Sequence, residues 1–243
     1  MQQKKYLMTG MTPNYGGIEA YIMNLARHID PNKIHFDFLV NYEETIAFEE
    51  ELRAMGAEII RLPGRRKDPV RHETEYRKFF EQCRGKYDGI YCNLMSLANI
   101  DDLKYAKKSH IERIIAHSHT SDDKGWDIMG IRKYLHRAHQ NQLFQYTNEL
   151  FACSEIAGKY MFGNSAKVRV IHNTIDADKF RFSPQKREQI RESLNIPLDA
   201  LAFGTVGRLE QEKNPLFSIE IFRQLHEKDP DSRFIHVGDG SLR

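Results

Sequence analysis

The stretch KKYLMTGMTPNYGGIEAYIMNLARH, residues 4–28, joins a short apolar run to a helical pattern through a loop that contains three glycines. The apolar run, Lys5–Thr9, has the composition of a buried strand. The segment after the loop carries one apolar stripe with helical spacing, formed by Ile18, Ile22, Leu25 and Ile29. A strand followed closely by such a helix predicts the first βα unit of an α/β fold.

The same alternation of strand and helix continues along the chain. Because the predicted strands are almost continuously apolar, they favour a parallel sheet that helices cover on both faces. We therefore expect residues 1–179 to form a doubly wound, Rossmann-like α/β domain. Its further strands are predicted at Ile34–Val40, Ala57–Leu62, Asp88–Cys92, Ile111–Ala116, Glu149–Cys153 and Val168–Ile171.

The pattern restarts after Asp176–Phe182 and predicts a second α/β domain. Its elements are a helix at Pro184–Leu194, a strand at Ala200–Val206, a helix at Pro215–Glu227 and a strand at Arg233–Val237. Two strands and two helices are too few to form a sheet that is covered on both faces. We expect residues 180–243 to be only the first part of that domain.

Composition excludes several classes of protein. The 243 residues carry 36 Lys and Arg against 34 Asp and Glu, a formal charge of +2, so no nucleic-acid partner is predicted. No apolar run approaches the roughly 18 residues of a membrane span, and no signal peptide is predicted. Cys83, Cys92 and Cys153 lack the spacing of a zinc site or a disulfide framework. These features indicate a cytoplasmic protein.

The first loop offers a candidate anion site. Gly16 and Gly17 stand at the predicted start of the helix, where backbone N–H groups and the helix dipole favour a phosphate or a sugar hydroxyl. The pattern is neither that of a dinucleotide fingerprint nor that of a P-loop. The alternative is a tight turn that needs a positive φ at one of the two glycines.

His117 and His119 follow the strand Ile111–Ala116, and strand alternation predicts that they lie on one side. One interpretation is a metal-dependent hydrolase, with further ligands from His136, His139 or His172. A second is a single functional histidine at the end of the strand, and a third is a hydrogen-bonded histidine that caps the loop.

A cationic loop follows the strand Ala200–Val206. Arg208 and Lys213 stand on either side of a short turn ahead of the helix that Pro215 is suited to begin. Arginine and lysine in this arrangement favour a diphosphate ligand. The alternative is that both are ordinary surface charges.

Three motifs carry a resemblance to a known family, the family-four glycosyltransferases with the two-domain GT-B fold. The run Asn173-Thr174-Ile175-Asp176, with Phe180 beyond it, resembles the family's Asn-Gly-Val-Asp...Phe signature, with threonine in the place of glycine. Gly207-Arg208-Leu209 with Lys213-Asn214 is similar to Gly-Arg-Leu...Lys-Gly. The segment Val237-Gly238-Asp239-Gly240-Ser241-Leu242-Arg243 is similar to Val-Gly-Asp-Gly-Pro-Leu-Arg.

The resemblance implies a retaining hexosyltransferase that moves a sugar from a nucleotide-diphosphate sugar, a UDP-sugar in the first place, to a glycan or lipid-linked acceptor. His117-Ser118-His119 is most similar to the bacterial capsular and exopolysaccharide branch. No cofactor and no metal are implied. The implied roles are catalysis for His119, diphosphate binding for Arg208, Lys213, Gly16 and Gly17, a hinge at Asn173, Asp176 and Phe180, and a second-domain glycine loop at Gly238 and Gly240.

The family's pair of glutamates, spaced Glu-x7-Glu, and its nucleotide base pocket lie beyond the Gly-Asp-Gly segment. The resemblance therefore implies a C-terminally truncated chain that is inactive alone. A non-catalytic fragment that binds acceptor or membrane is the alternative.

Three further features have simpler interpretations. Asp229-Pro230-Asp231 spells a metal-binding DxD motif, but it is predicted to be a structural turn. Ser154 is predicted to cap a helix. Two basic groups either contact the inner face of the cell membrane or are solvated surfaces; they are Arg61, Arg65, Arg66, Lys67, Arg71 and His72, and Arg132, Lys133, His136, Arg137 and His139.

Overall fold

A computed structural model describes residues 2–121, 130–164 and 166–243. The chain forms two compact units, Met1–Asp176 and Ala177–Arg243, and each is described by itself.

The first unit contains a seven-stranded sheet in which every described strand pair is parallel. The order across the sheet is β3-β2-β1-β4-β5-β6-β7. The strands are β1 (Lys4–Thr9), β2 (Ile34–Val40), β3 (Ile59–Arg61), β4 (Gly89–Leu94), β5 (Arg113–Ser118), β6 (Glu149–Ala152) and β7 (Arg169–Val170).

Helices cover both faces of this sheet, and each face has its own apolar core. The helices α1 and α2 pack on one face, and α3, α4 and α6 contribute to the core on the other. Their bounds are α1 (Gly17–His28), α2 (Glu49–Ala54), α3 (Pro69–Gln82), α4 (Asp101–Lys108), α5 (Ile131–Gln142) and α6 (Glu155–Phe162).

The alternation of strand side chains explains the two cores. Leu7 of β1 joins the core under α3 and α4, whereas its neighbours Tyr6 and Met8 join the core under α1. Both sets are buried, which is why the strands read as continuous apolar runs. The predicted doubly wound α/β class is confirmed.

All seven strands of the first unit occur where they were predicted; β2 has the predicted bounds, and the other six have shifted ends. Both β4 and β5 run two residues past their predicted ends, so Asn93 and His117 lie on strands and not on loops. The cause is pairing, because β4 and β5 are in parallel register as far as Leu94 and Ser118.

The second unit contains α7 (Pro184–Ser193), β8 (Ala202–Val206), α8 (Pro215–His226) and β9 (Arg233–Val237). The strands β8 and β9 pair in parallel from Ala202 and Arg233 onwards. A short 3-10 turn, Gln211–Lys213, precedes α8. The four predicted elements are confirmed.

Local capping explains several of these boundaries. The hydroxyl of Ser154 accepts a hydrogen bond from the Ala157 N–H at 3.1 Å, which confirms it as the cap of α6. Asp229 accepts the Asp231 N–H at 3.2 Å, so Asp229-Pro230-Asp231 is the predicted turn, before the amino end of β9. Within the described ranges, no helix has the length and apolar character to cross a bilayer.

Candidate functional site

The site of interest lies at the carboxyl edge of the sheet in the first unit. Because the strands are parallel, the ends of β1, β4 and β5 meet at this edge, which is where open α/β sheets bind ligands. Thr9 pairs with Cys92, and Asn93 pairs with His117, so the last residues of these strands are neighbours. His119 follows β5 directly and donates its backbone N–H to the Leu94 carbonyl oxygen at 3.0 Å.

In the glycine loop between β1 and α1, the residue with a positive φ is neither of the two candidates, Gly16 and Gly17. Gly16 caps α1 with an extended backbone, φ −128°, and Gly17 is the first helical residue. The alternative of a turn with positive φ at Gly16 or Gly17 is therefore wrong. Gly10 has φ +107°, and a Cβ on it would stand 2.7 Å from Cβ of Asn93. Glycine is required at position 10 for both reasons.

A carboxylate, which the sequence analysis did not single out, occupies the start of α1. Glu19 is only 5% exposed and accepts a hydrogen bond from the Thr12 hydroxyl at 2.5 Å. A Cβ on Gly16 would stand 2.7 Å from its Oε2 atom, so Gly16 leaves room for this side chain. The positive end of the helix dipole stabilises the carboxylate. An anion bound at this helix start would lie beside Glu19.

The two histidines lie side by side, as strand alternation predicted. The ring centroids of His117 and His119 are 4.1 Å apart. Across the described ranges, no group of three or more His, Cys, Asp or Glu side chains could hold a metal ion. The other histidines considered as ligands contact backbone atoms instead: His136 the Leu97 N–H, His139 the Leu97 carbonyl and His172 the Cys153 carbonyl.

Asn93 determines which nitrogen of His119 carries the proton. Its Nδ2 atom donates to the Thr9 carbonyl oxygen at 2.8 Å, and since a carbonyl can only accept, this atom must be the NH₂ group. The remaining Oδ1 atom accepts from Nε2 of His119 at 2.9 Å. In a neutral His119 the other ring nitrogen, Nδ1, is then a hydrogen-bond acceptor. It is buried and has no hydrogen-bond partner among the described residues.

A second chain of hydrogen bonds holds His117. The hydroxyls of Tyr21 and Tyr91 are 2.9 Å apart, and that of Tyr91 is 2.8 Å from Nδ1 of His117. The ring of Tyr21 packs against both histidines, with centroid distances of 5.0 Å. Tyr21, Tyr91 and His117 are all buried. Because Tyr21 lies on α1 and Tyr91 on β4, these two elements fix the orientation of His117.

Burial keeps both imidazoles neutral. It lowers the pKa of His117 to about 3, with a smaller contribution from neighbouring His119, and lowers the pKa of His119 to about 4. Burial also raises the pKa of the Tyr21 and Tyr91 hydroxyls. The pair therefore presents neutral hydrogen-bonding groups at pH 7 and no positive charge.

In the connector that follows β7, the local structure explains why Thr174 can stand where the family signature has glycine. Thr174 is absent from the described residues with positive φ, so the glycine of the family signature is not needed there. Its hydroxyl accepts a hydrogen bond from Nδ2 of Asn24, which ties the connector to α1. Asn173, Asp176 and Phe180 are exposed.

In the second unit the cationic loop lies on the surface. Arg208 is 65% exposed and forms an ion pair with Glu212. Lys213 ends the 3-10 turn, and Asn214 follows in the left-handed conformation, with φ 48° and ψ 55°. Asparagine tolerates this conformation better than most residues, which explains why it can stand where the family has glycine.

The loop after β9 packs directly on the cationic loop, and this contact needs glycine. A Cβ on Gly238 would stand 1.9 Å from the Gly207 carbonyl oxygen, and one on Gly240 would stand 2.4 Å from the Leu209 carbonyl oxygen. Ser241 donates its N–H at 3.1 Å and its hydroxyl at 2.7 Å to the carboxylate of Glu210. A proline at position 241, as in the family motif, has no N–H to donate.

Four members of the two basic groups are buried or paired with carboxylates. Arg61 pairs with Glu49 at 2.5 Å, and Arg65 pairs with Asp101 at 2.9 Å. His72 is 1% exposed and hydrogen-bonds the Pro63 carbonyl and Asp101, while His136 is 4% exposed. The placement of His72 and His136 on charged surfaces was wrong, because both rings face the interior.

Two glycosyltransferases are similar to this chain in sequence. EpsF of Bacillus subtilis strain 168, a protein assigned to the glycosyltransferases, is 26% identical over 98% of this chain and 62% of its own length. A UDP-Gal:α-D-GlcNAc-diphosphoundecaprenol α-1,3-galactosyltransferase of Escherichia coli is 36% identical over 36% of this chain and 23% of its own length.

Among solved structures, Anabaena HepE in complex with UDP and glucose matches with a TM-score of 0.75 at 18% identity, over 98% of this chain and 62% of HepE. This likeness identifies the fold as GT-B. The chain thus spans about three-fifths of the length of EpsF and of HepE. The family model described as Glycosyltransferase Family 4 matches residues 15–179, more than half of the chain, and the chain belongs to that family.

Proposed function

We propose that the chain is part of a retaining glycosyltransferase that moves a sugar from a UDP-sugar to a glycan or lipid-linked acceptor in bacterial polysaccharide biosynthesis. One observation carries the proposal: the glycine loop and the neutral pair His117 and His119 meet at one sheet edge in a chain of Glycosyltransferase Family 4. Such an edge offers hydrogen bonds to an uncharged, hydroxyl-rich ligand.

The names of the relatives support the choice of donor and acceptor. The Escherichia coli relative takes UDP-galactose and a sugar linked to diphosphoundecaprenol, and the HepE crystals contain UDP and glucose. A membrane-bound acceptor of this kind suits a cytoplasmic protein that meets the inner face of the cell membrane.

In this proposal Arg208 and Lys213 bind the diphosphate of the donor. The leaving group is a stable anion, so catalysis needs electrostatic stabilisation more than acid, and neither cofactor nor metal is proposed. Arg208 is available because its pair with Glu212 is exposed, and exposed ion pairs are weak. Gly16 and Gly17 line the part of the site that binds the donor phosphate and the acceptor. The segment from Asn173 to Phe180 is the hinge.

His119 contacts the transferred sugar. Its Nε2–H is already bound to Asn93, and its buried Nδ1 atom can only accept a hydrogen bond, so the ring, once ligand binding exposes Nδ1, suits a sugar hydroxyl and not a phosphate oxygen. A phosphate needs donors, and Arg208 and Lys213 supply them.

Calorimetric titration with UDP, UDP-glucose and GDP-mannose tests the proposal. We expect UDP and UDP-glucose to bind, and an Arg208→Ala, Lys213→Ala double variant to bind at least about tenfold more weakly, since charge-assisted hydrogen bonds are lost. The matched control is an Arg223→Ala, Lys228→Ala double variant, which removes the same charge from the far end of α8 and the turn after it.

Equal binding by the two double variants would contradict the diphosphate role of Arg208 and Lys213. The absence of binding both to this chain and to a longer form of the protein would contradict the proposal as a whole. Retention is tested separately, by following the anomeric configuration of the product by NMR.

A further inference from the structure

We infer that Asn93 is a positioning residue: it fixes the tautomer of His119 and ties that ring to the end of β1. The inference rests on the proposed function only for its consequence, that the ring accepts a hydrogen bond from the sugar. The tautomer itself follows from hydrogen-bond geometry alone.

The first step is the position of Asn93 between two other strand ends. It lies on β4, its NH₂ group binds the carbonyl of Thr9 at the end of β1, and its Oδ1 atom binds His119 just beyond β5. Its side chain is 6% exposed, so water does not compete for these bonds. One amide therefore joins three adjacent strand ends.

The second step is that the amide cannot turn over. A rotation by 180° would place Oδ1 opposite the Thr9 carbonyl oxygen, so two acceptors would face each other in a buried site. The Nδ2 group also lies 3.3 Å from the sulfur of Met8, a second weak acceptor. The orientation of the amide, and with it the proton on Nε2 of His119, is thus determined.

The third step is steric. Gly10 lies against Asn93 so closely that a Cβ on Gly10 would stand 2.7 Å from Cβ and 2.9 Å from the carbonyl oxygen of Asn93. The turn that begins the glycine loop and the side chain that orients His119 are in direct contact. A substitution of Asn93 is therefore expected to disturb both the turn at Gly10 and the ring of His119.

The test is the ¹⁵N NMR spectrum of histidine-labelled protein, in which the two tautomers of imidazole give distinct nitrogen shifts. His119 is assigned by the signals that a His119→Gln variant lacks. We expect the Nε2–H tautomer in the wild type and in Asn93→Asp, which keeps the acceptor oxygen, and a mixture or the Nδ1–H tautomer in Asn93→Leu. An Nδ1–H tautomer in the wild type would overturn the inference, even if Asn93→Leu does not fold.

A second readout separates this role from general structural damage. If His119 faces the sugar, Asn93→Leu should weaken the binding of UDP-glucose about five- to tenfold and leave the binding of UDP unchanged, which corresponds to one lost hydrogen bond. Equal weakening of both ligands would overturn the positioning role. If the wild type shows the Nε2–H tautomer but neither this chain nor a longer form of the protein binds either ligand, the inference about Asn93 stands and the proposed function fails.

Discussion

The carbonyl oxygen of Gly207 lies 1.9 Å from the place that a Cβ of residue 238 would take, so the loops after β8 and β9 touch backbone to backbone. Gly238 also has φ +149°, which side-chain-bearing residues rarely adopt. The contact arranges the cationic loop, because Gly207 directly precedes Arg208.

Gly238→Ala should therefore destabilise the second unit by about 2–4 kcal/mol, as expected for a steric clash combined with backbone strain. Urea denaturation followed by circular dichroism, with limited proteolysis to locate the change, measures this effect. The matched control is Gly207→Ala in the facing loop, where the nearest atom to a new Cβ is Cγ of Lys213 at 3.9 Å. Similar losses at both glycines would contradict the clash.

Asn214→Gly should stabilise the second unit by up to about 1 kcal/mol, and Asn214→Ala should cost about the same, because the left-handed backbone disfavours a Cβ. Thr174→Gly is the informative comparison, since threonine there also replaces the usual glycine but has no positive φ. Thr174→Gly should destabilise the protein, because it removes the hydrogen bond from Asn24 and raises the conformational entropy of the unfolded chain. Thermal unfolding of the three variants measures these stability changes. A Thr174→Gly variant more stable than the wild type would contradict the prediction.

Tyr91→Phe should cost about 1–3 kcal/mol of unfolding free energy, because it leaves both Nδ1 of His117 and the Tyr21 hydroxyl without their buried partner. Tyr21→Phe removes only the outer bond and should cost about 1 kcal/mol. Urea denaturation of both variants gives the two values. If Tyr21→Phe lost more unfolding free energy than Tyr91→Phe, Tyr91 would not be the central member of the hydrogen-bond chain Tyr21–Tyr91–His117.

The unfolding free energy should fall as the pH drops from about 6.5 to about 4. In this window the unfolded chain binds protons at His117 and His119 that the folded protein, with pKa values of about 3 and about 4, does not bind. Stability therefore rises with pH, by up to about 1.4 kcal/mol per pH unit for each histidine. Urea denaturation at about pH 7 and about pH 5 measures the slope.

The contribution of His119 is isolated by a His119→Gln variant, whose amide can still donate to Asn93. Burial raises the pKa of Asp102 to about 6, which favours the folded state at low pH and opposes the histidines. Since Asp102 is present in both proteins, the difference between their slopes reports His119. Identical slopes would contradict the low pKa of His119.

The sequence predicted the architecture well because both faces of the sheet are buried. Alternating contacts such as those of Leu7 and Met8 make each strand apolar throughout, and such runs are easily recognised. The ends of β4 and β5 were predicted too early because Asn93 and His117 are polar, and polar residues usually indicate a loop. Pairing with the neighbouring strand overrides that local preference.

The candidate site was predicted only in part. The pairing of His117 with His119 follows from strand alternation, but Asn93, Tyr91 and Glu19 were missed. A polar residue within the apolar run GIYCNL was the available signal for Asn93, and its partners lie 84 and 26 positions away in the chain. Which glycine takes a positive φ also depended on a distant contact, that of Gly10 with Asn93.

The strand order β3-β2-β1-β4-β5 places the reversal of the sheet between β1 and β4. From β1 the chain winds towards β2 and β3, and from β4 it winds the other way, so the connections of these adjacent strands diverge and leave a crevice at a topological switch point. The hydrogen bond between Asn93 and Thr9 crosses this divide at its floor. The crevice is thus a product of winding direction, and at its floor the amide of Asn93 adds a side-chain tie to the backbone pairing of β1 with β4.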